Sequence, residues 1–188
     1  MKASNLQETF LAFREQCIWL QTCFDTYKAL YESGEDTENL MAATAPHFFH
    51  DLNLILIEYC FLQICKLTDP ARSFGRENLT VNHINEMLEK EKKLTREISQ
   101  ASDGIASYRD LIVDSRNKLI SHTDKDAMLK GGTLGEHQRE DVIQFFKCLY
   151  SYVDEVGNAV GVGPLDFRST YGSGDVLDLI RHLKNRSN

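Results

Sequence analysis

Eight apolar residues near the N-terminus set the first constraint on this chain. Leu6, Phe10, Phe13, Cys17, Leu20, Phe24, Tyr27 and Tyr31 follow one another at alternating steps of four and three. That spacing puts all eight on one face of a single α-helix and excludes a strand, whose faces alternate every second residue. The helix is expected from about Asn5, a suitable N-cap, to Ser33, with Gly34 as its stop. So long a stripe needs a long partner helix, in the same chain or in a second protomer.

The rest of the chain reads the same way. A second helix is expected to start near Asp36 or Thr37, or else at Pro46, and to run to about Leu67. Apolar residues cover most of its circumference, so it is expected to be the central, most buried helix. Thr68 to Asn78 is a turn-rich loop, and a short helix follows with Val81, Ile84 and Leu88 inward. The basic stretch Lys90 to Arg96 leads into a further helical segment that Asp103-Gly104 is expected to break or kink. Gly104 to about His122 is the next helix. Residues 136–160 form another, with Val142, Phe145, Phe146, Leu149, Tyr152, Val153 and Val156 inward. A Gly/Ser-rich loop precedes a short closing helix, Asp175 to Lys184, presenting Val176, Leu177, Ile180 and Leu183. No segment alternates as a strand does. The expectation is an all-α, up-down helical bundle of about four long helices plus short ones. Residues 1–160 form the bundle, and 161–188 a loop and short helix packing on the same domain.

Charge narrows the function classes. The net charge of −7 argues against a broad nucleic-acid surface. Its distribution is uneven. Residues 1–64 hold nine acids against three bases, whereas residues 90–130 hold nine bases against seven acids. If phosphate is bound, the second region is the better candidate. Five dispersed cysteines without a CxxC pair fit thiols in a reducing compartment. The chain opens without an apolar signal core, and His50, Asp51, Asn53, Glu58 and Gln63 interrupt its most apolar stretch. A cytoplasmic protein without a membrane span is expected.

One segment carries chemistry: Arg116-Asn117-Lys118-Leu119-Ile120-Ser121-His122. Ile112, Val113, Leu119 and Ile120 flank Arg116 three and four residues away on either side, so the arginine sits within an apolar stripe. A guanidinium there pairs with a carboxylate of a neighbouring helix, or is presented at a groove where it can hold a phosphate. His122, six residues on, lies about 9 Å along an ideal helix and about 120° around it. The two side chains do not touch within one straight helix. They converge only if the helix ends or bends, or if a second protomer supplies the other half. A histidine at a helix end also serves simply as a C-terminal cap.

The segment resembles the HEPN motif: an arginine, a polar residue and, after four to six intervening positions, a histidine. Thr123-Asp124 is similar to the AbiU-like abortive-infection branch. So are Lys66-Leu67-Thr68-Asp69-Pro70-Ala71-Arg72 and Glu77-Asn78-Leu79-Thr80. The resemblance implies a HEPN-like fold and metal-independent RNA cleavage by homodimers in antiphage, abortive-infection or toxin–antitoxin defence. It implies no cofactor, and RNA and a cognate antitoxin or other protein as partners. Carried over, Arg116 stabilises charge on the scissile phosphate, His122 acts as general acid or base, and Asn117 orients the phosphate or the histidine. Lys118, Ser121 and Asp124 are supporting binding residues. Residues 122–124 lack the His-x-Tyr ending of HEPN toxins that pair with nucleotidyltransferases. The alternative is a non-catalytic HEPN interaction module that binds a protein or nucleotide in the same groove.

Other constellations carry less. His47, His50 and Asp51 share a helix face after Pro46, but no Glu-x-x-His pair accompanies them, and no metal site is expected. The Gly161-Val162-Gly163 and Gly172-Ser173-Gly174 runs lack the phosphate-loop pattern. Cys148 has no evident activating base in the sequence.

Overall fold

The computed structural model describes residues 5–115, 138–165 and 171–187. Among them the fold is all-α, with seven helices and one minimal hairpin. In chain order these are α1 (Leu6–Tyr31), α2 (Glu35–Thr44), α3 (Pro46–Thr68), β1 (Arg72–Ser73), β2 (Arg76–Glu77), α4 (Val81–Lys90), α5 (Arg96–Ser115), α6 (Arg139–Val160) and α7 (Val176–Ser187). Four helices are long, at 26, 23, 20 and 22 residues for α1, α3, α5 and α6. The remaining three have 10 to 12 residues.

The chain divides into two compact units, each discontinuous in sequence. One comprises residues 1–17 and 61–166, the other residues 18–60 and 167–188.

In the first unit, α5 and α6 pack face to face. The α5 face is Ile98, Ala101, Ile105, Tyr108 and Ile112, all buried at steps of three and four. The α6 face is Phe145, Leu149, Tyr152, Val153 and Val156, also buried. Tyr108 and Phe145 meet with ring centroids 5.1 Å apart, and Phe13 of α1 meets Tyr152 edge-on at 6.0 Å. Val81, Ile84 and Leu88 of α4 join this core, where each fully buried aliphatic side chain contributes about 1.5–3 kcal/mol. The ends of α6 are closed by local chemistry. Asp141 accepts from the backbone N–H of Gln138 at 2.8 Å, half of a capping box. At the other end Gly161 takes a left-handed conformation, φ 78°, and the N–H groups of Val162 and Gly163 donate to the Gly157 carbonyl at 2.9 and 3.1 Å. This folds the chain back so tightly that a β-carbon on Gly157 would collide with the Gly163 carbonyl oxygen.

In the second unit, Leu30, Met41, Phe49 and Val176 form the core, with Ile180 and Leu183 of α7 against it. The α1–α3 pairing is pinned by two hydrogen bonds. The Tyr31 hydroxyl donates to the Phe49 carbonyl at 2.7 Å, and Trp19 Nε1 donates to the Tyr59 hydroxyl at 2.8 Å.

Several expectations need correction. Gly104 does not break its helix: α5 is continuous from Arg96 through Ser115. The two alternative starts of the second helix both occur: a short helix covers Glu35–Thr44, Ala45 leaves the helical conformation, and the long helix opens at Pro46, as the second alternative has it. The loop after Thr68 contains an antiparallel hairpin, too short for any alternation to register. Leu177 points outward, since only Val176, Ile180 and Leu183 fall on the packed side of α7. Finally, α3 is not uniformly buried. Phe48 and Ile55 are each 60% exposed and Leu54 50%, so apolar composition around a helix overstates how many neighbours it has. By length and composition α3 is long and apolar enough to cross a membrane. It nevertheless buries Phe49 at one end and Gln63, Ile64, Cys65 and Leu67 at the other, as a helix packed within protein does.

Candidate functional site

Arg116, Asn117, Lys118, Ser121, His122 and Asp124 all lie outside the described residues. The described chain runs up to them: α5 is described from Arg96 to Ser115, and Arg116 is the next residue. The register of α5 is therefore the nearest structural constraint on the segment. Thr95 caps the helix, its side chain accepting from the Ile98 N–H at 3.2 Å, and the apolar face buries the helix against α6.

Arg109, seven residues before Arg116, stands at the edge of that face. Its guanidinium lies 3.9 Å from both the Asp69 and the Asp110 carboxylates, the outer limit of an ion pair, and its Nε is buried without a hydrogen-bond partner. Beside it opens a cavity of about 550 Å³ between the end of α3, α4 and α5. Thr68, Asn82, Asn85, Glu86, Arg109 and Asp110 are among its lining residues. Carboxylates outnumber cations on this wall, which suits donors more than phosphate. The walls are fixed by side-chain amides. Asn82 Nδ2 donates to the Asp69 carbonyl at 3.1 Å, and Asn85 links Ser102 at 3.1 Å to the Tyr152 hydroxyl at 2.8 Å. Burial, with a smaller contribution from Cys17, holds the Tyr152 phenol far above the usual range, so it serves as a neutral hydrogen-bonding group.

The two upstream islands now have physical roles. Asp69-Pro70-Ala71-Arg72 leads into the hairpin, whose register pairs Arg72 with Glu77 and Ser73 with Arg76. Asn78 ties the hairpin base together, its Nδ2 donating to the Pro70 carbonyl at 2.8 Å and to Ser73 Oγ at 3.0 Å. Arg72 reaches Glu86 of α4 at 3.0 Å. Thr80 caps α4 by accepting from the His83 N–H at 3.2 Å. Arg109 and the hairpin were not singled out as functional from sequence. The seven-residue step from Arg109 to Arg116 was the available signal for the first.

Among the described residues no three His, Cys, Asp or Glu side chains are grouped to hold a metal, and His47, His50 and Asp51 are exposed on α3. Cys17 and Cys60 are buried thiols; burial and the nearby Cys23 push Cys60 up to about 12.

An all-α chain whose long helices lead directly into an Arg-x5-His segment defines a helical protein of the HEPN class. The family model of AbiU2, a HEPN family, matches residues 3–179, and the chain belongs to that family. Neither the curated proteins nor the solved structures give a match.

Proposed function

We propose that this protein is an RNA-cleaving effector of abortive-infection, antiphage or toxin–antitoxin defence, acting in the cytoplasm as a homodimer without a metal or other cofactor. The observation that carries the reading is the family match over residues 3–179, which encloses Arg116, Asn117 and His122 in the HEPN order. Arg116 holds the scissile phosphate and offsets its developing charge, a task suited to a planar, permanently charged fork. His122 moves the proton at the 2′-hydroxyl or the leaving oxygen, because imidazole titrates near neutral pH. Asn117 orients one of them, with Lys118, Ser121 and Asp124 in support. The bases of residues 90–130 supply a local counterweight to the acidic chain.

The test is incubation of purified protein with RNA in the presence of EDTA. Cleavage is expected from the wild type and is expected to vanish in Arg116→Ala and His122→Ala at unchanged helicity. Failure of the wild type to cut any RNA, or cutting by the double variant, sinks the reading.

A second reading, a non-catalytic module that binds a cognate antitoxin or other protein, is favoured by the exposed Phe48, Leu54 and Ile55 on α3. It predicts a stable complex that Ile55→Lys abolishes and Arg116→Ala leaves intact.

A further inference from the structure

The hairpin tip is the most exposed apolar point of the described chain. Phe74 is 105% exposed, so its ring rests on nothing. It is also held in an unfavourable backbone conformation. Phe74 and Gly75 are the two central residues of the turn, with φ 49° and 76°. Positive φ at both positions is the signature of a type I′ turn, where asparagine-glycine or aspartate-glycine is the relaxed pair and a bulky first residue is strained. Neither the fold nor the turn gains from a phenyl ring there.

The surroundings point to an occupant. Arg76, two residues on, makes no ion pair among the described residues, whereas Arg72 at the hairpin base is held by Glu86 at 3.0 Å. Apart from its two chain neighbours, nothing among the described residues lies within 4 Å of the β-carbon position of Gly75, so no other part of the described chain covers the turn there. The base of the hairpin is rigid, tied by Asn78 to Pro70 and Ser73. The tied hairpin thus presents a bare aromatic ring and a cation without an ion-pair partner among the described residues. Its sequence neighbours Ser73, Gly75 and Arg76 supply no apolar shell of the kind that desolvates an aromatic anchor at a protein interface. A nucleobase needs only one ring face to stack on and a cation for its phosphate.

We propose that Phe74 and Arg76 form a contact for single-stranded RNA, Phe74 stacking on an unpaired base and Arg76 holding an adjoining phosphate. The choice of RNA rests on the ribonuclease reading; the stacking itself does not.

The experiment measures binding apart from cleavage. The probe is a short single-stranded 2′-O-methyl oligoribonucleotide carrying 2-aminopurine, which lacks the hydroxyl needed for self-cleavage, with the matching oligodeoxyribonucleotide as a second arm. The full chain is titrated as wild type, Phe74→Asn, Phe74→Trp and Arg76→Ala. Phe74→Asn relaxes the turn, so loss of folding does not confound it. It is expected to weaken binding roughly 5- to 100-fold and to abolish 2-aminopurine quenching. Phe74→Trp is expected to retain binding, with the introduced indole quenched by the probe. Arg76→Ala is expected to lower the salt slope by about 0.7, one phosphate's share. Unchanged affinity in Phe74→Asn overturns the proposal, as does absence of binding by the wild type. Equal or tighter binding of the deoxy probe overturns the assignment to RNA. Phe74-dependent capture of a protein without affinity for either probe also overturns it, in favour of a protein contact. Phe74-dependent binding by a protein that never cleaves RNA counts against the ribonuclease reading alone. Cleavage with binding indifferent to Phe74 counts against the hairpin alone.

Discussion

Gly104 of α5 and Cys148 of α6 occupy each other's space: a β-carbon on Gly104 would lie 3.3 Å from the Cys148 Cβ and overlap its Sγ. The glycine is there because two long helices come together at that level. In an exposed helix, Gly→Ala gains about 1 kcal/mol. Here overpacking opposes it by about 1–3 kcal/mol. Gly104→Ala is therefore expected to lower the midpoint of urea unfolding, and the same change in a Cys148→Ala background to do so less or to raise it. Additive effects in the double-mutant cycle would show that the two positions do not touch.

This pair also marks how far the sequence could be read. Periods were legible where one face of a helix carries the core. The α1 stripe from Leu6 to Leu20, the α4 triad Val81, Ile84 and Leu88, and the α6 face from Phe145 to Val156 all pack as their spacing requires. Gly104 was not legible, because a glycine that admits a neighbouring helix and one that ends its own look alike in one dimension. Nor was the burial of α3, since composition says what a residue tolerates but not which neighbours reach it. The hairpin stayed hidden because Phe74-Gly75 departs from the pairs that announce such turns. For the candidate site, the sequence placed Arg116 within a helical run. The structure adds the helix that leads up to it and an arginine, Arg109, seven residues before it.

Tyr152 offers a sharper test of the α4–α5–α6 junction. Its hydroxyl lies 2.8 Å from the part-buried Asn85 Oδ1 and 3.3 Å from the Val81 carbonyl, and the tyrosine itself is fully buried. Tyr152→Phe keeps the ring but strands the Asn85 oxygen. A loss of about 1–2 kcal/mol is expected by chemical denaturation. Asn85→Ala, which removes the stranded group, should make the second substitution cheaper.

Asp175 couples the start of α7 to pH. Slight desolvation works to raise its pKa. The backbone N–H groups of Gly172, Leu177 and Asp178 and the charge of Arg181 outweigh this and hold the carboxyl below its ordinary value. A depressed folded-state pKa contributes stability above the unfolded value and loses it as pH falls through the folded one. Asp175→Asn is thus expected to lower thermal stability at neutral pH, the difference closing as pH falls below about 4, the ordinary aspartate value, and through the lowered folded-state one. A gap that stays unchanged on acidification would mean that the charge is not what these amides hold.

Thiol labelling separates the cysteines by packing. Cys148 is half-buried, its Sγ accepting from Gln144 at 3.4 Å, whereas Cys17 is fully buried and its thiol is pushed far upward by burial. Iodoacetamide mapped by mass spectrometry in native buffer is expected to modify Cys148 first and to reach Cys17 and Cys60 only on unfolding. Early modification of Cys17 would contradict the packing of α1 in its unit.

The last prediction concerns Arg116 itself. On the proposed mechanism its value lies in shape as well as charge: two parallel N–H donors grip two phosphate oxygens at once, and the guanidinium stays charged at every working pH. Lysine preserves the charge and loses the fork. Arg116→Lys is therefore expected to lower kcat on RNA by roughly 100-fold, the scale of losing one preorganised donor to a developing charge, with a much smaller change in KM. The circular dichroism spectrum is expected to be unchanged, because lysine has nearly the same helix propensity as arginine. Full activity in Arg116→Lys would reduce the arginine to a point charge. A variant that loses KM and keeps kcat would make it a binding residue and transfer the burden of catalysis to His122.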